Sequence, residues 1–397
     1  MLGSGSSNSK LVVLLASVLK PVDDTRMREK FAETLRLAPN TEVHVAGRNS
    51  TGEAGHPSAG PTPAVQQHTI FWGYRLRFNR LLAQLRYARL LHRLRPAIVF
   101  VHAPELLPLT LLWQRLGRNN RLLVYDIREN YALNIRTQRV YQGLTRRLLA
   151  SCLRWVEALA ARRAAAVILA EASYADELPF LAQLPTGRVL LLENKYQPAP
   201  EERLLTIPRP APEAAAPLRL LFSGTISELN GVREALSLTR ALGQRRPAGA
   251  HLTLIGFCQQ PELLRELEHL AATNPGWLTL IGGAEPVPHR VLIAALSKAD
   301  WGLLPYRPHP STARCRPTKL FEYLAHGLPV LVPNNPLWAG LVRAHGAGLI
   351  VDFEQPVHAA AAIIAGAANS FYPRSVPPEA LWESEAKKLR HLLESLR

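Results

Sequence analysis

The feature that most constrains this fold is a rhythm. Short apolar runs of buried-strand type alternate with stretches of helical spacing, and the alternation occurs twice. In the first half, residues 11–16 (LVVLLA), 42–46, 97–102 (AIVFVH), 121–126, 166–170 and 189–192 read as strands. Helical spacing falls at 25–37, 79–94, 141–161 and 173–184, with Met27, Phe31, Leu35 and Ala38 on one face of the first. Residues 48–63, rich in Gly, Pro and Ser, read as a loop. In the second half, strands are expected at 218–222, 252–255, 278–281, 301–304, 330–332 and 349–351. Helices fall between or after them at 232–242, 261–273, 287–297, 320–325, 337–345 and 356–367. Such alternation implies parallel sheets covered on both faces. The proline-rich segment 197–217 separates the two series. The expected organisation is α/β, with a domain at 1–196, a linker at 197–217, a second domain at 218–378 and a final helix at 379–397. Two doubly wound domains would face a cleft, with ligands at the carboxyl ends of the strands.

Composition narrows the class. At 397 residues the chain is too long for one ordinary core. Three scattered cysteines (Cys152, Cys258 and Cys315) include no CxxC pair, so neither a disulfide framework nor a cysteine zinc site is expected. Asp23–Asp24 and the His102/Glu105 pair fall short of a metal-ligand set, and no metal is expected. Residues 1–10 lack the pattern of a secretory signal, and no apolar run is long enough to span a bilayer. A cytoplasmic enzyme or binding protein is expected. GxSxG, P-loop and GxGxxG motifs are absent, which argues against hydrolase, NTPase and dehydrogenase readings.

The net charge is +16, and it is clustered. Residues 71–95 contain seven arginines and no acid; residues 136–163 contain seven more, offset only by Glu157. Both stretches are rich in Leu and aromatics. They suit an anionic membrane surface, and equally an ordinary helix with a solvated arginine face. No nucleic-acid-binding motif accompanies them, so no nucleic-acid partner is expected.

The richest segment is STARCRPTKLFEYLAHGLP, residues 311–329. It lies between two strands and opens a helix near Thr318, the expected N-cap. Arg314, Arg316 and Lys319 gather at a helix N-terminus, which itself favours anions. Glu322 follows Lys319 by one turn on roughly the same face. Cations for a diphosphate and a carboxylate for ribose hydroxyls would suit a sugar nucleotide. A capped surface helix with a Lys–Glu pair is the plainer alternative.

This segment resembles the donor-binding motif of the group 1 glycosyltransferases (family 4, GT-B fold, two Rossmann-like domains). Pro317, Lys319, Glu322, Tyr323, Ala325, Gly327, Pro329 and Val330 match its pattern. The resemblance implies that Glu322 binds the donor ribose and Lys319 the diphosphate. Where many members carry another Glu for sugar hydroxyls, this chain has Arg314. FSGTISELNGVREAL, residues 222–236, is similar to the family's first strand-turn-helix of the donor domain. There Gly224 and Thr225 would form a phosphate-facing turn, and Gly231 would open the helix. A C-terminal helix returning to the first domain is also expected.

Three first-domain loops complete the candidate site. Lys20, Asp24 and Arg26 follow the first strand; His102 and Glu105 follow the strand 97–102; Asp126, Arg128, Glu129 and Asn130 follow 121–126. Asp23, Asp24 or Thr25 would also cap the next helix. So many polar groups would be costly if buried unpaired, so they read as an acceptor-side wall. The family's Tyr-Asp-x-His-Glu has Arg128 in place of its His here. Glu193, Asn194 and Lys195 match the strand end that leads to the family's hinge. His102, Glu105 and Glu129 are the expected acceptor contacts or proton carriers. The resulting expectation is a glycosyltransferase moving a sugar from a nucleotide-diphosphate donor to a saccharide or lipid-linked hydroxyl acceptor. The resemblance implies retention of configuration, and no cofactor is expected. A GT-B sugar-nucleotide epimerase and a non-catalytic GT-B-like binding protein are the alternatives.

Overall fold

The computed structural model describes residues 10–50, 64–72, 79–117, 121–137, 143–204, 209–310 and 312–397. Residues 51–63 of the expected loop at 48–63, and Arg75, Arg77, Arg139 and Ser311, lie outside the described residues. The chain divides into two compact units. One comprises Met1–Gln197 with Trp382–Arg397, the other Pro198–Leu381.

The first unit holds a seven-stranded parallel sheet of order β3-β2-β1-β4-β5-β6-β7. Its strands are β1 (Leu11–Pro21), β2 (Thr41–Arg48), β3 (Gln66–Phe71), β4 (Ile98–Val101), β5 (Leu122–Ile127), β6 (Ala166–Leu169) and β7 (Val189–Leu191). Period-two alternation divides the side chains between the faces. Leu14, Ala16, Val99 and Val101 pack with Tyr87, Leu107 and Ala160, from helices Asn79–Leu94, Leu107–Leu116 and Gly143–Arg163. Val13, Leu15 and Phe100 pack on the other side with Met27, Phe31, Trp382, Leu389 and Leu393. The last three residues show why the chain's end belongs to this unit. Its final helix, Glu383–Ser395, completes that core. Each fully buried leucine there contributes roughly 1.5–3 kcal/mol.

Two local departures from the expected elements have clear causes. Pro179, which lacks an N–H, divides 173–184 into a short helix Tyr174–Glu177 and a 3₁₀ turn Pro179–Gln183. After β1 the helix is π-type over Thr25–Ala32 before an α-helical turn at Glu33–Arg36. Such wide turns change the direction in which side chains leave the axis.

The second unit holds a six-stranded parallel sheet of order β10-β9-β8-β11-β12-β13. Its strands are β8 (Leu218–Ile226), β9 (Ala250–Cys258), β10 (Leu278–Gly283), β11 (Trp301–Leu303), β12 (Val330–Val332) and β13 (Gly348–Ile350). In each sheet the strand order reverses beside the first strand, at β1/β4 and at β8/β11. Those switch points are where doubly wound sheets leave a crevice for ligands.

Candidate active site

In the second unit the site is built from backbone that carries no side chains. β8 and β9 run in register so that Gly224 faces Gly256. A Cβ on Gly256 would stand 1.7 Å from the Gly224 carbonyl oxygen, so only glycine lets the strands approach there. Gly224 has φ +89, and a Cβ on it would meet the Lys319 Cε at 2.5 Å. The strand end is therefore shaped around the Lys319 stem. Gly231 then caps the helix Val232–Arg245.

Lys319 comes from the helix Thr318–Ala325, the connection that follows β11. Its Nζ lies 5.1 Å from the centre of the Phe222 ring and 5.4 Å from that of Tyr306. Aromatic faces attract a cation without consuming its N–H donors. Among the described residues the ammonium makes no hydrogen bond or ion pair. Burial holds its pKa down to about 8, against the pull of Glu322. The helix is fixed by burial of every residue from Leu320 to Ala325 and by the Tyr323 hydroxyl, 2.8 Å from Ser223 Oγ. Pro317, not the expected Thr318, occupies the N-cap, and no side chain caps the first turn. The missing proline N–H costs nothing there, and the amides that follow have no side-chain acceptor.

Glu322 is buried and its Oε1 accepts a hydrogen bond from His289 Nε2 at 2.9 Å. Arg314 is exposed and Arg316 half-buried, on a loop pinned from behind. The Trp338 indole donates to the Cys315 carbonyl at 2.6 Å, and Asn335 to that of Ala313 at 2.8 Å. Thr225 is exposed, and its carbonyl accepts from Asn230 Nδ2 at 2.8 Å.

The strand ends of the first unit look different. Arg26 is buried and bidentate to Asp126, at 2.9 and 2.7 Å, and also donates to the Leu192 carbonyl at 3.0 Å. His102, fully buried, shares Asp126 Oδ2 at 2.6 Å. Burial opposes ionisation of Asp126, but Arg26 and then His102 outweigh it, and the carboxyl falls far below the usual range. An ionised Asp126 requires the imidazole proton on Nδ1. Burial pushes His102 itself below the ordinary histidine range. Its Nε2 is then an acceptor, buried and without a partner among the described residues.

Asp24 caps the helix through the Met27 amide at 3.0 Å and is also bidentate to Arg128, at 2.8 and 3.1 Å. Burial raises its pKa, and Arg128 more than reverses that. Lys20 reaches Glu129 at 3.4 Å; Glu105 pairs with Arg80 at 3.0 Å. Asn130 donates to Glu177 at 2.9 Å and accepts from Arg154 at 2.8 Å. The expectation of an open acceptor wall is thus corrected for Arg26, His102 and Asp126. These close on one another inside the unit, because pairing offsets the cost of burying charge. Glu129 and Lys20, 43% and 33% exposed, remain open.

Sequence reasoning did not single out His289, Tyr306 or Phe222. No local signal could have marked His289, which meets Glu322 across 33 positions of chain.

Residues 217–369 match the family model described as glycosyl transferases group 1. The matched span lies within the second unit. No curated protein sequence matches the chain. Solved structures agree on the fold of the whole chain, which is that of GT-B glycosyltransferases. Sucrose-phosphate synthase from Thermosynechococcus elongatus aligns with TM-score 0.64 at 17% identity, covering 98% of this chain and 99% of that one. The catalytic domain of starch synthase IV from Arabidopsis thaliana, bound to ADP and acarbose, aligns with TM-score 0.60 at 11% identity, covering 98% and 99%. WaaG, a glycosyltransferase involved in lipopolysaccharide biosynthesis, aligns with TM-score 0.56 at 15% identity, covering 96% and 95%. The matched span includes all the donor-side candidates: Gly224, Thr225, Arg314, Arg316, Lys319 and Glu322.

Proposed function

We propose that the chain is a retaining glycosyltransferase of family 4, transferring a hexosyl group from a nucleotide-diphosphate donor to a hydroxyl of a lipid-linked or envelope saccharide. The observation that carries the donor half is Lys319, a cation held between two aromatic rings and making no hydrogen bond among the described residues. Its N–H groups are available to a diphosphate, and the uncapped helix amides beside it add donors. Glu322 offers a carboxylate to ribose, and Arg314, Arg316, Gly224 and Thr225 form the surrounding contacts.

In the reaction, the bond from the anomeric carbon to the β-phosphate oxygen breaks. A bond to the acceptor oxygen forms, and the acceptor hydroxyl gives up its proton to the departing phosphate oxygen. Charge grows on the departing diphosphate, and Lys319 stabilises it without reorganisation. Of the residues expected at the acceptor, Glu129 and Lys20 are open to contact, together with Glu105 beside Arg80. His102, bonded to Asp126, ties the end of β4, which leads to Glu105, to β5, which leads to Glu129. The direct test is thermal shift against UDP, GDP, ADP and CMP, with wild type beside Glu322→Ala. A shift for one nucleotide, lost in the variant, supports the reading. No shift with any nucleotide overturns it in favour of a binding protein.

The acceptor half rests on an exposed face. Leu81 and Leu85, Leu112 and Leu116, and Leu144, Leu148 and Trp155 are exposed on the three helices of one side of the first sheet. Arg89, Arg93 and Arg147 are exposed among them. Apolar side chains interleaved with arginine suit the cytoplasmic face of an anionic bilayer. Among the described residues no helix is long and apolar enough to cross a membrane. Leu144→Ser/Leu148→Ser is expected to release the chain from vesicles containing anionic lipid. Equal binding by the variant and wild type would sink this part.

A further inference from the structure

Glu322 does not stand alone in the donor site. It is almost fully buried, yet its partner is a half-exposed residue from a different element. His289 begins the helix His289–Lys298, which follows β10, whereas Glu322 belongs to the helix that follows β11. The two elements are brought together by the sheet order, not by proximity in sequence. The contact is specific in its atoms: Nε2 of the imidazole donates to Oε1 at 2.9 Å, and Oε2 is left to accept from elsewhere.

We propose that His289 is a positioning residue for nucleotide selection. By fixing Oε1 it turns the Glu322 carboxylate so that Oε2 meets a ribose hydroxyl. This rests on the donor-site reading above and adds a residue to it. The physical argument is geometric. A carboxylate on a flexible side chain can present its oxygens in many directions, and a second hydrogen bond removes that freedom before the ligand arrives. Discrimination follows, because a deoxyribose leaves a buried, oriented carboxylate oxygen without a donor, and an unmet buried acceptor is costly. A Glu322 without His289 can swing away from a deoxyribose, so the penalty shrinks.

The readout is the ratio of dissociation constants for a ribonucleoside diphosphate and its 2′,3′-dideoxy analogue, measured by calorimetry. The base is whichever of uridine, guanosine or adenosine the wild type binds. Wild type is expected to prefer the ribonucleotide by about tenfold or more, the scale of a hydrogen bond to a charged group. His289→Ala is expected to lose most of that preference while retaining the diphosphate contribution from Lys319. His289→Gln, whose amide can donate to the same oxygen, is expected to restore part of it. His289 is half-exposed, and His289→Leu keeps much of its volume, so a folded variant without the donor is available. An unchanged ribose preference in His289→Ala and His289→Leu overturns the proposal while leaving the donor site intact. Absence of nucleotide binding by wild type overturns the donor reading, and the proposal with it.

Discussion

The carboxyl ends of the two sheets solve opposite problems. In the first unit, charged side chains crowd the ends of β1, β4 and β5 and neutralise each other. Arg26 and Asp126 are bidentate, as are Asp24 and Arg128, and His102 completes the set. In the second unit, Gly224 and Gly256 face each other near the ends of β8 and β9, and the cation beside them lies against aromatic rings with no hydrogen bond to an acid among the described residues. Charge whose bonding positions are filled inside the protein has little left to offer a ligand. Charge held without a hydrogen-bonding partner is available for one. The count of charged residues near a strand end is therefore a poor guide to where a ligand binds.

The sharpest way to break that contrast is to remove one member of each set. Arg26→Met leaves Asp126 buried with only His102 as partner, and breaking a buried ion pair from one side typically costs about 3–5 kcal/mol. Denaturant unfolding is the measurement, and a loss below 1 kcal/mol would show that the pair is not structural. Lys319→Met makes the opposite expectation: stability unchanged or slightly raised, because a desolvated ammonium is removed. Its cost falls on nucleoside diphosphate affinity, about 10- to 100-fold, the scale of charge-assisted hydrogen bonds. If Lys319→Met unfolds the chain and leaves affinity intact, the two units do not differ in the way described.

Gly224→Ala tests whether the bare strand end is required. Its left-handed backbone costs an alanine roughly 1–2 kcal/mol, and the methyl would press on the Lys319 stem. The expected result is a moderate loss of stability with a clear loss of nucleotide binding. Stability loss with unchanged binding would separate the glycine from the site.

The contrast also explains what was legible in the sequence. The second unit's site is made of two local pieces, Gly224 and Thr225 at one strand end and Lys319 and Glu322 one turn apart, which the sheet brings together. Fixed spacing along a strand and a helix carries each piece directly. The first unit's arrangement is not local, since Arg26 and Asp126 are 100 positions apart and only the sheet order joins them. The residue types were visible, but their mutual neutralisation was not. Strand β3 escaped for a different reason. Gln66, Gln67, His68 and Thr69 form an edge with little apolar signal, held by backbone pairing to β2. Helix Leu107–Leu116 escaped because its apolar run, LPLTLLW, does not separate helix from strand by period.

The smallest expected effect uses two lysines whose burial acts in the same direction but reads out with opposite sign. Burial holds Lys319 at about 8 and, with help from Arg26, holds Lys30 at about 7. Diphosphate binding favours the charged form of Lys319, so the bound group has the higher pKa. Affinity is then full below pH 8 and falls as pH rises through it, by about tenfold at most per pH unit. Lys30 is buried and donates to Asn194 at 2.6 Å, with no ligand to pair it. Its folded pKa lies below its unfolded value, so the unfolded chain binds more protons between about pH 7 and 10. Stability therefore rises with pH across that window, by no more than about 1.4 kcal/mol per unit from this group. Lys30→Met should flatten the stability profile and leave the affinity profile unchanged, and Lys319→Met should remove the fall in affinity. Because Lys319 is also held below its unfolded value, Lys319→Met removes its own share of the stability rise above about pH 8; a change in the affinity profile caused by Lys30→Met would show that the two sets of charges are coupled and that the division between paired and open strand ends fails.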